Sequence, residues 1–351
     1  MYSFLSSFRK RLAIKNKQYQ HEGFTLLELL ISLVIAGTVI SGLLFVVVEL
    51  TKIDKRESSL DQVQRDMKRA IDYISDDLQE AVHVYSAPAK IQQIYDELKD
   101  DPDFPETATP VLAFWRIDPI KGLDGLPTDC SSISDEDDER TCDVLKIRQA
   151  SYTLVVYSQQ ENTDGNRNWL GKSRLIRYEL PRFTVAGVST FTERKGYRDP
   201  TDAEDLDASF ENWIADTDGT PEGDSAVLVD YVASPTPTVN LNKSPLSDVA
   251  ADGTSSPCFS YGDDGSNSLY NVVPSTAAVD ADNSFFACVR NADPDNDSDT
   301  PTAKRANQDV YVFLRGSVEG VAGGASFYSD ESSLPIVETR VLVKGIIDKN
   351  I

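Results

Sequence analysis

Histidine is almost missing from this chain: two in 351 residues, His21 and His83. Nucleophilic sites of the Ser-His-Asp or Cys-His kind need an imidazole to carry the proton, so they have little material here. No HExxH pair, no phosphate-cradling P-loop and no GxSxG elbow occurs. Carboxylate-only catalysis would have residues enough, but no spacing singles out a pair. Basic charge is also short, with 34 Lys and Arg against 57 Asp and Glu and a formal net charge of -23. Phosphate binding needs clustered Lys and Arg, which argues against a nucleic-acid partner. The four cysteines, Cys130, Cys142, Cys258 and Cys288, show no CxxC spacing. That spacing is what zinc ribbons and thioredoxin-like redox pairs require. The expectation is a chain with no enzyme site, no cofactor and no metal.

What basic charge there is lies in the wrong place for a soluble acidic protein. Arg9, Lys10, Arg11, Lys15 and Lys17 face only Glu22 within residues 1–23, and the remainder carries -27. A basic stretch ahead of an apolar run holds a leader on the cytoplasmic side of a membrane. The apolar run follows, Leu29 to Val48, twenty residues without a charge. At about 1.5 Å per residue it spans a hydrocarbon core of roughly 30 Å. A secretory signal would be shorter and end at a small-residue site. Glu49-Leu50-Thr51-Lys52 offers none. The run reads as a retained transmembrane helix over residues 24–50.

Glu28 stands at the edge of this run. A carboxylate there is costly and usually has a partner. The bland reading is a helix N-terminal Glu facing headgroups and the positive end of the helix dipole. The sharper reading lies in the string Gly23-Phe24-Thr25-Leu26-Leu27-Glu28 followed by the apolar helix, which is similar to the type IV prepilin signature. That resemblance implies cleavage after Gly23 and methylation of the new Phe24 amine by a membrane prepilin peptidase. It also implies that Glu28 neutralises a Phe24 amine during assembly. Pairing two charges in an apolar bundle lowers the desolvation cost each would carry alone.

The helical pattern runs on past the membrane. Leu60, Val63, Met67, Ile71, Ile74, Leu78, Ala81 and Tyr85 recur every three or four residues, with no Pro or Gly from Thr51 to Ser86. Lys55, Arg56, Arg65, Asp66, Lys68, Asp72, Asp76 and Asp77 fall on the opposite, charged face, and His83 falls on the same helix. A heptad coiled coil would show similar spacing. A helix over residues 51–87 laid on its own sheet, and ended by Pro88, fits better with the strand-like segments that follow. With the membrane span it would make a rod of about 60 residues, roughly 90 Å long. Gly37 and Gly42 are the points where it could bend.

Beyond Pro88, β-forming segments alternate with period two. They are Val111–Ile117, Val144–Gln149, Tyr152–Tyr157, Arg174–Leu180, Val227–Val232, Phe285–Val289, Val310–Leu314 and Arg340–Ile346. Asn162-Thr163-Asp164-Gly165-Asn166 reads as a hairpin loop. One long helix followed by antiparallel strands predicts an α+β, pilin-like domain over residues 88–351. Residues 190–305, rich in Asp, Ser, Pro and Gly, read as a loop-rich insertion with a short helix near Leu206–Ile214. In an exported domain two disulfides are the natural state, Cys130–Cys142 with Cys258–Cys288 being the most local of three pairings. Four buried thiols are the alternative. The acidic runs Asp135–Glu139 and Asp293–Asp299 raise the question of calcium. The second has Ser298 where an EF-hand loop needs Gly and Lys304 where it needs Glu, so both read as solvated loops.

A narrower resemblance rests on two stretches. They are Met67-Lys68-Arg69-Ala70-Ile71-Asp72-Tyr73-Ile74-Ser75-Asp76-Asp77-Leu78-Gln79-Glu80-Ala81-Val82 and Pro110-Val111-Leu112-Ala113-Phe114-Trp115-Arg116. They resemble the hormogonium polysaccharide secretion pseudopilins of cyanobacteria and, more distantly, the J-type minor pseudopilins of general secretion. The resemblance covers roughly residues 20–118 and, faintly, Leu334–Ile347; it does not reach 190–305. Major pilins commonly carry Pro where this chain has Phe45, which points to a minor subunit. The family implies a filament subunit supporting polysaccharide secretion and surface motility. It would be a single-pass protein of the inner membrane, with its leader cytoplasmic and its C-terminal domain exported. Its partners would be the prepilin peptidase, other pilin or pseudopilin subunits, the inner-membrane assembly platform and membrane lipid. The alternative is an adhesin that binds a surface or sugar through 190–305, with Trp169 and Trp213 as stacking faces.

Overall fold

A computed structural model of the chain describes residues 25–105, 107–162, 168–202, 209–217, 219–234, 248–249, 255–256, 258, 270–274, 284–290, 308–318 and 336–344. The chain divides into two compact units, Met1–Asp54 and Lys55–Ile351. In the first, the described residues are the start of helix α1 (Leu26–Gln79), which continues into the second. Every residue from Leu26 to Lys55 is exposed. Side-chain hydroxyls within this stretch turn back on the helix: Ser32 donates to the Leu29 carbonyl at 2.9 Å, Thr38 to Ile35 at 2.8 Å and Thr51 to Val47 at 2.7 Å. A helix meant for lipid must satisfy its polar groups internally, and these hydroxyls do so. Among the described residues α1 is the one helix long and apolar enough to cross a membrane.

The second unit is α+β. Strand β1 (Ala81–Val84) follows α1 directly, then come α2 (Pro88–Leu98), β2 (Thr109–Pro119), α3 (Glu136–Arg148), β3 (Ala150–Glu161), β4 (Ser173–Pro181), α4 (Val185–Thr190) and β5 (Asp224–Val232). The rest is β: the two-residue pair β6 (Asp248–Val249) and β7 (Ser255–Ser256), then β8 (Tyr270–Val273), β9 (Phe285–Arg290), β10 (Asp309–Arg315) and β11 (Ile336–Leu342). Strands β1 to β5 form one antiparallel sheet in sequence order. A second sheet runs β11-β10-β9-β8. The two are joined by a bridge between Val232 and Gly316, and by the Gln308 side chain, which donates to the Val84 carbonyl at 2.9 Å and accepts its N–H at 3.1 Å.

The helical stripe does what its spacing demands. Val63, Met67, Ala70, Ile71, Ile74 and Leu78 are buried in one core with inward residues of both sheets, including Leu112, Val155, Leu175, Val312 and Leu314. At about 1.5–3 kcal/mol for each large side chain, this stripe contributes roughly 10 kcal/mol, an upper estimate that far exceeds helix propensity. The helix lies close over Gly316, where a Cβ would collide with Val63 Cγ1 and press on Met67. The opposite face of the first sheet is covered too. Ile91, Ile94 and Leu98 of α2 pack there in the same core, with Phe104 edge-on to Tyr178 at 4.8 Å and Trp213 edge-on to Trp115 at 5.7 Å.

Several expectations are corrected. The helix does not reach Ser86: it stops at Gln79, because Ala81, His83 and Val84 pair as an edge strand with β2. Ala81 and Tyr85 are buried as the stripe required, but in extended chain, and His83 lies on β1. Pro88, expected as a terminator, instead opens α2 at a position where its missing N–H is harmless. Val144–Gln149 is not a strand but the end of α3, with Cys142 and Leu145 buried and Ile147 81% exposed. Residues 190–305 carry the expected strands as β5 and β9 and, beyond the loop-rich reading, also supply β8 and the core residues Tyr197 and Trp213. The helix expected near Leu206–Ile214 is a turn over its described part, 209–214, and the final strand begins earlier than expected, at Ile336. The hairpin loop at 162–166 lies mostly outside the described residues; Asn162 N–H donates to the Lys172 carbonyl at 2.9 Å.

Candidate assembly site

Of the residues expected to serve processing and assembly, the structure describes Glu28, in the first turn of α1. Gly23 and Phe24 lie outside the described residues. Thr25 precedes the helix, and its hydroxyl accepts the Glu28 N–H at 3.3 Å while its carbonyl accepts the same N–H at 3.0 Å. Thr25 is thus an N-cap, and Thr25-x-x-Glu28 has the residue types of a capping box. Glu28 sits in the first turn, where the helix dipole favours a carboxylate. Its neighbours Leu26, Leu27, Leu29 and Leu30 are all exposed and apolar. The first Lys or Arg along the described helix is Lys52, which pairs with Glu49 at 3.8 Å. Among the described residues, Glu28 therefore has no basic side chain beside it along the apolar span. Gly37 and Gly42 meet no neighbour within 4 Å and leave the helix unbroken.

A second carboxylate on α1, expected on the charged face, lies elsewhere in the structure. Asp77 is only 6% exposed. It accepts from the Tyr157 hydroxyl at 2.6 Å, from Arg177 Nε at 2.7 Å and from Arg116. Glu179 accepts from the other side of Arg177 at 2.6 Å, and Asp118 holds Arg116 at 3.0 Å. Burial works against both guanidinium charges, but Asp77 and its fellow carboxylates more than offset it and hold both Arg pKa values above their usual range. Burial, then Asp77, pushes the Tyr157 phenol far up, so it stays a proton donor. The signal that could have found this clamp is the alternation of β4. Arg177 and Glu179 share the face opposite Ile176, Tyr178 and Leu180, and that face meets the end of α1.

His83 is half-buried against aromatics, stacked on Phe210 at 5.7 Å and edge-on to Tyr85 at 4.9 Å. Its Nε2 lies 3.5 Å from Glu211, an ion-pair distance, yet burial pushes the imidazole down to about 4. Desolvation outweighs the half-exposed carboxylate, so the ring is neutral at pH 7. Tyr85 accepts from Trp115 Nε1 at 2.9 Å and donates to the Phe210 carbonyl. Trp213 donates from within the core to the Arg198 carbonyl at 2.9 Å, which withdraws it from any surface stacking role.

The cysteines pair as Cys130–Cys142 and Cys258–Cys288, with Cα separations of 5.8 and 5.6 Å. The first ties α3 to the chain before it. Asp135 caps that helix, accepting the N–H groups of Asp137 and Asp138 at 3.0 and 3.2 Å. The acidic run 135–139 thus serves a helix N-terminus, and Lys146 and Arg148 end the same helix. The run 293–299 lies outside the described residues.

Residues 20–44 match the prokaryotic N-terminal methylation motif. That match supports a pilin- or pseudopilin-type subunit. With one apolar N-terminal helix leading into antiparallel sheets, it fits a membrane-anchored protein of pilin-like fold. The motif implies processing by a prepilin peptidase and assembly with other pilin subunits. No curated protein and no solved structure matches the chain.

Proposed function

We propose that this chain is a minor pseudopilin, cut after Gly23, methylated at Phe24 and assembled through Glu28 into a filament like those of type IV pili or type II secretion. The observation that carries the reading is the Gly23-Phe24-x-x-x-Glu28 string leading into an uninterrupted helix. Phe45, where major pilins carry Pro, supports a minor role, and the resemblance over residues 67–82 and 110–116 supports polysaccharide secretion and surface motility as the process served. The domain from residue 55 onward would then be exported, anchored by one span in the inner membrane.

Mass spectrometry of the membrane-extracted protein should find an N-terminus at methylated Phe24. An intact N-terminus, or cleavage beyond residue 35, sinks the reading. Glu28→Ala should give a processed, folded protein that fails to enter filaments, because a neighbouring amine would be buried without its counter-charge at a cost of several kcal/mol. Scoring polysaccharide export, piliation and motility separately in the deletion strain assigns the process. Export and motility both unchanged would remove that part of the proposal.

A further inference from the structure

The sheet face that carries the end of α1 continues past it. Register sets Arg116 opposite Thr153, Asp118 opposite Ser151, and Thr153 opposite Pro181, all on the face that Asp77 clamps. The helix stops at Gln79, and the strip beyond it forms a cleft of about 310 Å³. That is the lower end of the usual size for a small-molecule site. Its frame is rigid. Gly122 holds the loop before it at a φ of +92°, and a Cβ there would come within 2.8 Å of the Val185 carbonyl at the start of α4.

Two polar atoms of the lining lack partners. The Thr153 hydroxyl is wholly buried and makes no hydrogen bond. Arg194 spends its terminal nitrogens on the Glu222 carbonyl at 2.8 Å and Asp224 at 2.6 Å, but its Nε is buried and unpaired. Native proteins rarely leave such groups unsatisfied, and two in one cleft mark a place for a ligand's own polar groups. The formal charges of the lining cancel: Arg116, Lys121 and Arg194 against Asp118, Glu179 and Asp224. An anion would meet three carboxylates and a cation three basic groups. A neutral ligand that both donates and accepts meets neither obstacle. Pro181 and Phe183 add an apolar surface suited to the C–H face of a ring.

We propose that this cleft binds a neutral sugar residue. The proposal rests on side chains of the folded domain and not on filament assembly, so either reading can fail without the other. The test uses the full chain in a zwitterionic detergent without a sugar headgroup, read by saturation-transfer NMR. The probes are the methyl glycosides of glucose, galactose and mannose, with glucuronate and glucosamine as charged counterparts. Expected is binding of at least one neutral glycoside with a Kd on the order of 1 mM, and weaker binding of both charged sugars. Thr153→Val keeps the side-chain shape and should weaken binding about fivefold or more with no loss of melting temperature. Arg194→Lys keeps the charge beside Asp224 but loses Nε, and should weaken it similarly. No saturation transfer to any neutral glycoside, tighter binding of a charged sugar, or unchanged binding in a folded Thr153→Val would each overturn the proposal.

Discussion

Replacing Asp77 with Asn tests whether the end of α1 is held by charge or merely by shape. The amide has the size of the carboxylate and can still accept one hydrogen bond, so packing is kept and charge is removed. Two guanidinium groups lose their shared partner, and Arg177 is itself only 6% exposed. Breaking a buried pair from one side usually costs about 3–5 kcal/mol. Here the cost is smaller, because Glu179 and Asp118 remain within 2.6 and 3.0 Å of the two arginines. With Asp77 the five charged groups sum to -1, and without it they are neutral. Solvation of the cluster is therefore not made worse in net charge, only in geometry. We expect about 2–4 kcal/mol. At about 2–4 °C per kcal/mol for a domain of this size class, melting should fall by roughly 5–15 °C. Near-ultraviolet circular dichroism of the full chain in detergent reads it, since Tyr157 and Tyr73 border the cluster. The Asp77→Asn, Arg177→Met double variant should lose less than the sum of the singles. A single variant that melts within about 2 °C of the parent, or strict additivity in the double, would refute the clamp.

Two further outcomes are expected. His83 titrates near 4 when folded and near 6.5 when unfolded, so the unfolded chain takes up the proton first; its contribution is complete above pH 6.5 and is lost as pH falls towards 4. That amounts to about 3 kcal/mol, and the difference in urea stability between the parent and His83→Gln should shrink by roughly this much between pH 7 and 4, whereas a constant difference would mean the ring is accessible to protons in the folded state. Non-reducing peptide maps should join Cys130 to Cys142 and Cys258 to Cys288, and losing either bridge should cost about 3–4 kcal/mol from loop closure; four free thiols would contradict export to an oxidising compartment.

The sequence is most legible where one periodicity acts alone. Val63, Met67, Ile71, Ile74 and Leu78 announce a buried stripe because nothing competes with the helical spacing over that stretch, and the structure buries all five. Legibility fails where a non-local partner decides. Ala81 and Tyr85 continue the helical spacing, but β2 offers their backbone a strand ladder, and a ladder partner 30 residues on leaves no local trace. Val144–Gln149 misleads for another reason: Val144, Leu145 and Ile147 have β-type composition, while the helix is set by the Asp135 cap and the acid-first, base-last charge order upstream. That order was readable. Asp77 was legible in part: it stands three residues after Ile74 and seven after Ala70, on the buried stripe, whereas Asp76 turns away to solvent, but the partners that meet it on β2, β3 and β4 leave no local trace.

Glu28 and Asp77 show how one helix uses the same functional group in two ways. Each is a carboxylate set among apolar residues, and each would be unfavourable there if left alone. Asp77 is matched within the chain by Arg116, Arg177 and Tyr157, so its charge ties helix to sheet and is spent on the fold. Glu28 faces an apolar stretch in which the first basic residue is Lys52, already paired with Glu49. Its match must come from outside its own helix. A headgroup could solvate it, but a headgroup would do the same for a neutral Gln with less penalty, and gives no reason to keep a charge. A positively charged amine delivered by another subunit does give one. On the proposed reading the pair is favourable only when both members arrive together, so the carboxylate would make entry into the bundle selective for subunits in register.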